Sequence, residues 1–173
     1  LVFTGNNIAR AITFSIYLDA LGDAQPWEFE ISGNFLGGPV KIIRPLYGVF
    51  TGNKMTTYVT FTAGPLNTVV TGNYINGDLY FQVVGGQGFS SGGIISGNIV
   101  NGELACHAAA GAEYVKQTTI TGNICTSLTL YNDVYETIVS NNTVLGNCSI
   151  GSIPGDLNNK IGLNGNYITG NLT

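Results

Sequence analysis

Val70-Thr71-Gly72-Asn73-Tyr74-Ile75 returns 25 residues later as Ile95-Ser96-Gly97-Asn98-Ile99-Val100. Working outward, the same pattern occurs as Phe3-Thr4-Gly5-Asn6-Asn7-Ile8, Ile31-Ser32-Gly33-Asn34-Phe35-Leu36 and Phe50-Thr51-Gly52-Asn53-Lys54-Met55. Further along it occurs as Ile120-Thr121-Gly122-Asn123-Ile124-Cys125, Val139-Ser140-Asn141-Asn142-Thr143-Val144 and Leu163-Asn164-Gly165-Asn166-Tyr167-Ile168. The aligned Asn residues lie 28, 19, 20, 25, 25, 19 and 24 residues apart. In all eight copies the residues three before and two after that Asn are apolar. The residue two before it is Ser or Thr in seven. Such self-similarity is the mark of a stacked repeat architecture and takes precedence over local propensity.

Each position has a physical reason. The first apolar residue ends a strand and points inward, and the Ser or Thr after it points outward, because side chains alternate along a strand. Gly, or Asn141 in one copy, tolerates the positive φ of a sharp bend. The second Asn can bond neighbouring backbone through its amide. If every coil bends there, these amides stack at the ~4.8 Å spacing of hydrogen-bonded strands and each donates to the next. The apolar residue two later begins a second inward row.

A second strand follows each of the first seven bends: Ile12-Thr13-Phe14, Val40-Lys41-Ile42, Val59-Thr60-Phe61, Leu79-Tyr80-Phe81, Leu104-Ala105-Cys106, Leu128-Thr129-Leu130 and Cys148-Ser149-Ile150. Apolar residues alternate there with polar or small ones. Glu103 to Lys116 is rich in Ala, the best helix former. It is nevertheless the repeat equivalent of Asp78 to Ser91, so strand and loop are expected rather than helix. The eight signatures imply about seven coils in a single domain over 1–173, read as an internal piece of a longer chain.

Composition narrows the function classes. Charged residues are only 9%, and the 25 Gly and 19 Asn are those of repeated turns and neutral strand faces. Six Lys and Arg, scattered and outnumbered by ten carboxylates, make no phosphate-binding stripe, so no nucleic-acid partner is expected. No apolar run approaches the ~20 residues of a membrane span. Cys106, Cys125 and Cys148 fall at apolar repeat positions without metal-ligand spacing and read as small buried hydrophobes. No metal or phosphate motif is present, so no cofactor is expected. The sequons at Asn141, Asn147 and Asn171 are expected by chance in so Asn-rich a chain.

Coils of 19 to 28 residues, with strands separated by turns, resemble the right-handed parallel β-helix, a family that includes pectate lyases, viral tailspikes and autotransporter passengers. The resemblance covers the whole chain and implies an all-β, single-stranded solenoid. Within that family the short irregular coils and scarce charge are most similar to a fragment of a bacteriophage tailspike. That resemblance implies a segment of a virion spike or fibre that recognises, and in many cases depolymerises, a bacterial surface polysaccharide. It also implies a parallel homotrimer, in which part of a neutral flank is buried against two partners. A stand-alone polysaccharide lyase or hydrolase of pectate-lyase type remains open, as does an extracellular adhesin or autotransporter passenger.

Two groups of acids carry the candidate chemistry. Asp78 and Glu103 follow the near-identical Ile75-Asn76-Gly77 and Val100-Asn101-Gly102, so they occupy one outward position on consecutive coils. Stacked, they could sit ~5 Å apart, the separation of a retaining glycosidase pair; the competing reading is a solvated turn repeated with the coil. Tyr80 stands beside them as an aromatic contact. Asp19, Asp23, Glu28 and Glu30 cluster around Trp27, a combination that suits sugar stacking and hydroxyl recognition. The competing reading there is a strand with Trp27 and Phe29 inward and Glu28 and Glu30 in solvent. His107 has no nucleophile motif near it and reads as incidental.

Overall fold

The computed structural model describes residues 1–15, 28–43, 45–62, 66–83, 90–108, 115–131, 134–151 and 161–173. Among them there is no helix: every regular element is a strand, and every strand pairing is parallel. The chain is a parallel β-helix. Strands ending each signature form one sheet in the order Val2–Thr4, Phe29–Ser32, Leu46–Thr51, Leu66–Thr71, Ile94–Ser96, Thr119–Thr121, Thr137–Ser140, Ile161–Asn164. The segments after the bend form a second, 13-stranded sheet. About five turns are laid out in this way. Seven were expected from the signature intervals, but the first and last of these contain 16–27 and 152–160, which lie outside the described residues.

Register confirms both inward rows. Phe3 pairs Ile31, which pairs Phe50, and the row continues through Val70, Ile95, Ile120, Val139 and Leu163. Beyond the bend, Ile8, Leu36, Met55, Ile75, Val100, Cys125, Val144 and Ile168 form the second row. From Ile31 to Val139 and from Leu36 to Val144 the members are essentially inaccessible. Leu163 departs from the pattern at 46% exposure, because no further coil is stacked on its far side. Phe61 stacks on Phe81 at 4.8 Å between ring centres and meets Phe50 edge-on at 5.7 Å. All three cysteines are buried free thiols, and burial pushes Cys106 and Cys125 up to about 12.

The bend is the most regular feature. Gly5, Gly33, Gly52, Gly72, Gly97, Gly122, Asn141 and Gly165 all have φ between 55° and 66°. The Asn that follows each of them points into the coil. Asn53 Nδ2 donates to Asn73 Oδ1 at 3.1 Å and to the Ile31 carbonyl at 2.8 Å. Its backbone N–H donates to the same Asn73 oxygen at 2.9 Å. The pattern runs unbroken from Asn6 to Asn166. Burying six amides is therefore tolerated, because both donors and the acceptor of each interior Asn are satisfied.

Where it is described, the Ala-rich stretch follows the repeat. Ile99–Ala108 is one strand, pairing Leu79 with Leu104 and Phe81 with Cys106 on the preceding coil. Val115–Lys116 is strand again, while 109–114 lie outside the described residues. Ala105, an outward position by alternation, is fully buried between its paired neighbours Tyr80 and Thr129.

Candidate functional site

Two outer surfaces carry polar chemistry. The first begins at a second column of positive-φ residues that the sequence reading did not contain. Tyr47 (φ 50°), Asn67 (45°), Gly92 (70°), Gln117 (52°) and Glu136 (49°) occupy equivalent places on successive coils. Each is followed by a small residue: Gly48, buried Thr68, Gly93, buried Thr118 or buried Thr137. The left-handed residue turns the chain so that its own side chain stands outward and the next points in. Four of the five are not glycine, and local backbone strain of this kind persists where the surrounding stack over-determines it. At Gly48 even a methyl group would lie 1.7 Å from the Phe29 ring, which fills the inward space.

Phe29 thereby anchors Phe29–Ser32, the strand that carries Glu30, against the next coil. Phe29 is buried and Glu28 and Glu30 are exposed, as alternation requires. Glu30 accepts a hydrogen bond from Ser32 Oγ at 2.9 Å. Glu28 and Glu30 together with Tyr47, Val49, Asn67 and Val69 line an open groove of about 420 Å³. Tyr47 is half exposed there, so its ring is free to stack. Of the acidic and aromatic segment expected to bind, Asp19, Asp23 and Trp27 lie outside the described residues. Among the described residues, the exposed aromatic side chain that shares the groove with Glu28 and Glu30 is Tyr47, contributed by the next coil.

The second surface is the outer face of the long strands of the second sheet. Asp78 and Glu103 stand on consecutive coils, where Asp78 Oδ1 accepts the Glu103 backbone N–H at 2.8 Å. Asp78 Oδ2 accepts the Tyr80 hydroxyl at 3.0 Å, and Glu103 Oε1 accepts the Thr129 hydroxyl. The carboxylate of Asp78 lies across Gly102, where a methyl group would be 2.2 Å from it. Asn147 does the same three coils later, its Oδ1 accepting the Asn171 N–H at 3.0 Å across Gly170. Asp78 thus holds a turn-closing hydrogen bond that a neutral amide also makes.

Partial burial and the hydrogen-bonded, negatively charged Asp78, with Glu103 adding to the field, push the Tyr80 hydroxyl up to about 12. His107 belongs to this cluster, although nothing in the sequence flagged it. Its ring meets Tyr80 at 5.8 Å and Tyr131 at 6.4 Å, both edge-on, and its Nε2 is buried with no hydrogen-bond partner among the described residues. Register supplied the missing signal, since Gln82, His107 and Tyr131 are successive members of one outward column.

Among the described residues, no group of three or more His, Cys, Asp or Glu could hold a metal ion. Among the described residues no helix is long and apolar enough to cross a membrane. No protein-family model, curated protein or solved structure matches the chain. The fold and the geometry of these two surfaces are therefore the basis for a functional reading.

Proposed function

We propose that the chain is a segment of a viral tailspike or fibre that recognises a bacterial surface polysaccharide. The observation that carries this reading is the groove in which two exposed carboxylates, an exposed tyrosine and an amide side chain converge on one solenoid flank. A sugar ring presents an apolar face and a rim of hydroxyls. Tyr47 supplies the surface for the face, while Glu28, Glu30 and Asn67 supply acceptors and donors for the rim. Asp19, Asp23 and Trp27 belong to the same proposed binding segment. A stack of near-equivalent coils suits a polymer because it repeats similar contacts along one axis.

Depolymerisation is assigned in this reading to Asp78 and Glu103, with Tyr80 as the sugar contact beside them. The parent protein is proposed to be a parallel homotrimer on the virion. An exposed apolar column on the outer face of the second sheet supports that assembly: Phe35, Tyr74, Ile99 and Ile124. Few charges interrupt it.

The test is a glycan array with the wild-type chain, followed by affinity measurements on Tyr47→Ala. Loss of ~1 kcal/mol or more of binding with an unchanged melting temperature supports the groove. No glycan bound by the wild type, or an unchanged affinity in the variant, removes it. Glu103→Gln in an active parent protein tests cleavage separately: unchanged turnover excludes the pair from catalysis and leaves recognition standing.

A further inference from the structure

Three stretches of the chain read Asn-Gly: Asn76-Gly77, Asn101-Gly102 and Asn164-Gly165. In such a pair the glycine nitrogen can attack the preceding side-chain amide, because no side chain shields it. Packing dictates the glycine in the first two. A methyl group on Gly77 would lie 2.9 Å from the Thr57 backbone carbon, and one on Gly102 would lie 2.8 Å from the Gly77 carbonyl carbon. The close approach of consecutive coils therefore demands the residue that makes the asparagine reactive.

Asn76 and Asn101 are both exposed, unlike the interior asparagines of the bend column, which are buried and fully hydrogen-bonded. Their side chains are used differently. Asn101 Nδ2 donates to the Tyr74 hydroxyl at 2.9 Å and to Asn76 Oδ1 at 3.1 Å. The Asn101 amide is thus tied to the preceding coil by two hydrogen bonds. Asn76 is on the receiving side of the same bond. A donor on its amide oxygen stabilises the negative charge that develops there when the carbon is attacked.

We propose that Asn76 is a self-modification site, the place where the folded chain selectively deamidates. The Gly77 nitrogen loses its proton and bonds to Asn76 Cγ; the Cγ–Nδ2 bond breaks and ammonia leaves with the proton. Water then opens the resulting five-membered imide to aspartate or isoaspartate. Either product adds one carboxylate to the turn that carries Asp78. Isoaspartate also lengthens the backbone by one carbon where two coils are in contact, so it loosens the stack at that point.

The experiment is peptide mapping by mass spectrometry after incubation of the intact chain in mildly alkaline buffer. In the folded chain the one-dalton gain should accumulate at Asn76 about ten-fold faster than at Asn101, the size of effect one hydrogen bond on the reacting group can give. In urea the two sites should react at similar rates, since the chain sequence around them is nearly the same. Asn101→Ser, checked for native circular dichroism, should slow the reaction at Asn76 while leaving its rate in urea unchanged. Equal folded rates at Asn76 and Asn101, a faster reaction at Asn101 or Asn164, or no slowing in Asn101→Ser overturns the proposal.

Discussion

Asn98 and Asn123 share two hydrogen bonds through one oxygen: Asn123 Oδ1 accepts the Asn98 side-chain amide at 2.9 Å and the Asn98 backbone N–H at 3.0 Å. The same Asn98 amide also donates to the Val70 carbonyl at 2.9 Å, so one side chain ties three coils. Asn98→Ala would take the acceptor from the Asn73 backbone N–H and from one proton of the Asn73 amide, and this donor from the Val70 carbonyl, all in a dry interior. Unsatisfied buried groups cost ~1–3 kcal/mol each before relaxation, so a loss of ~3 kcal/mol or more is expected in a urea melt. Asn98→Asp should be comparably damaging, because a carboxylate keeps the acceptor and loses both donors. Asn6→Ala, at a part-exposed end of the column, should cost less than half as much.

The glycine of the bend is needed for its backbone and not for space. At Gly72 (φ 63°) nothing lies within 4 Å of where a side chain would start. Gly72→Ala should still cost ~1–2 kcal/mol, the penalty of an L-residue in the left-handed region. Gly72→Asn should cost distinctly less, since Asn141 holds the same place at φ 55°. Equal losses in the two variants, measured by chemical denaturation, would refute this account of the bend.

Tyr80 makes stability depend on alkaline pH. Its hydroxyl sits at about 12 in the folded chain against 10.0 ordinarily, so the folded state holds the proton more tightly than the unfolded state. Stability from this group is complete below pH 10, then falls as pH rises toward 12. Phenolate absorbance should show a late-ionising component from Tyr80. In Asp78→Asn, which removes the adjacent charge, that titration should move back toward the ordinary value. A late phase that persists unchanged in Asp78→Asn would assign the effect to burial alone.

Aromatic side chains on the two sides of the wall should respond differently to truncation. Phe61 is inaccessible and in ring contact with Phe50 and Phe81, so Phe61→Ala should lose ~3–5 kcal/mol. Phe35 is 39% exposed on an outer column, where Lys54 Nζ lies 6.0 Å from its ring centre. Phe35→Ala should lose ~1 kcal/mol or less in an isolated chain. If that outer column is buried in a trimer, the same variant should dissociate the trimer, read by light scattering on the intact parent protein.

The sequence by itself determined the stack. An apolar residue, a hydroxyl, a glycine and an asparagine at fixed offsets specify which atoms face inward, where the chain bends and which amide closes the bend, because each requirement acts within six residues. It also placed Asp78 and Glu103 on consecutive coils and turned Glu28 and Glu30 outward, since register and alternation follow from the same period. Tertiary structure alone decided the rest. The left-handed column of Tyr47, Asn67, Gly92, Gln117 and Glu136 has no common residue type, because the surrounding coils impose that backbone and leave the side chain free. Neither the meeting of Tyr47 with Glu28 and Glu30 nor that of His107 with Tyr80 and Tyr131 could be read locally, as each joins side chains from different coils. The direction of each cross-coil hydrogen bond, from Asn101 to Asn76 and from Glu103 to Asp78, depends likewise on neighbours 25 residues away, where stacking geometry and not sequence spacing chooses donor and acceptor.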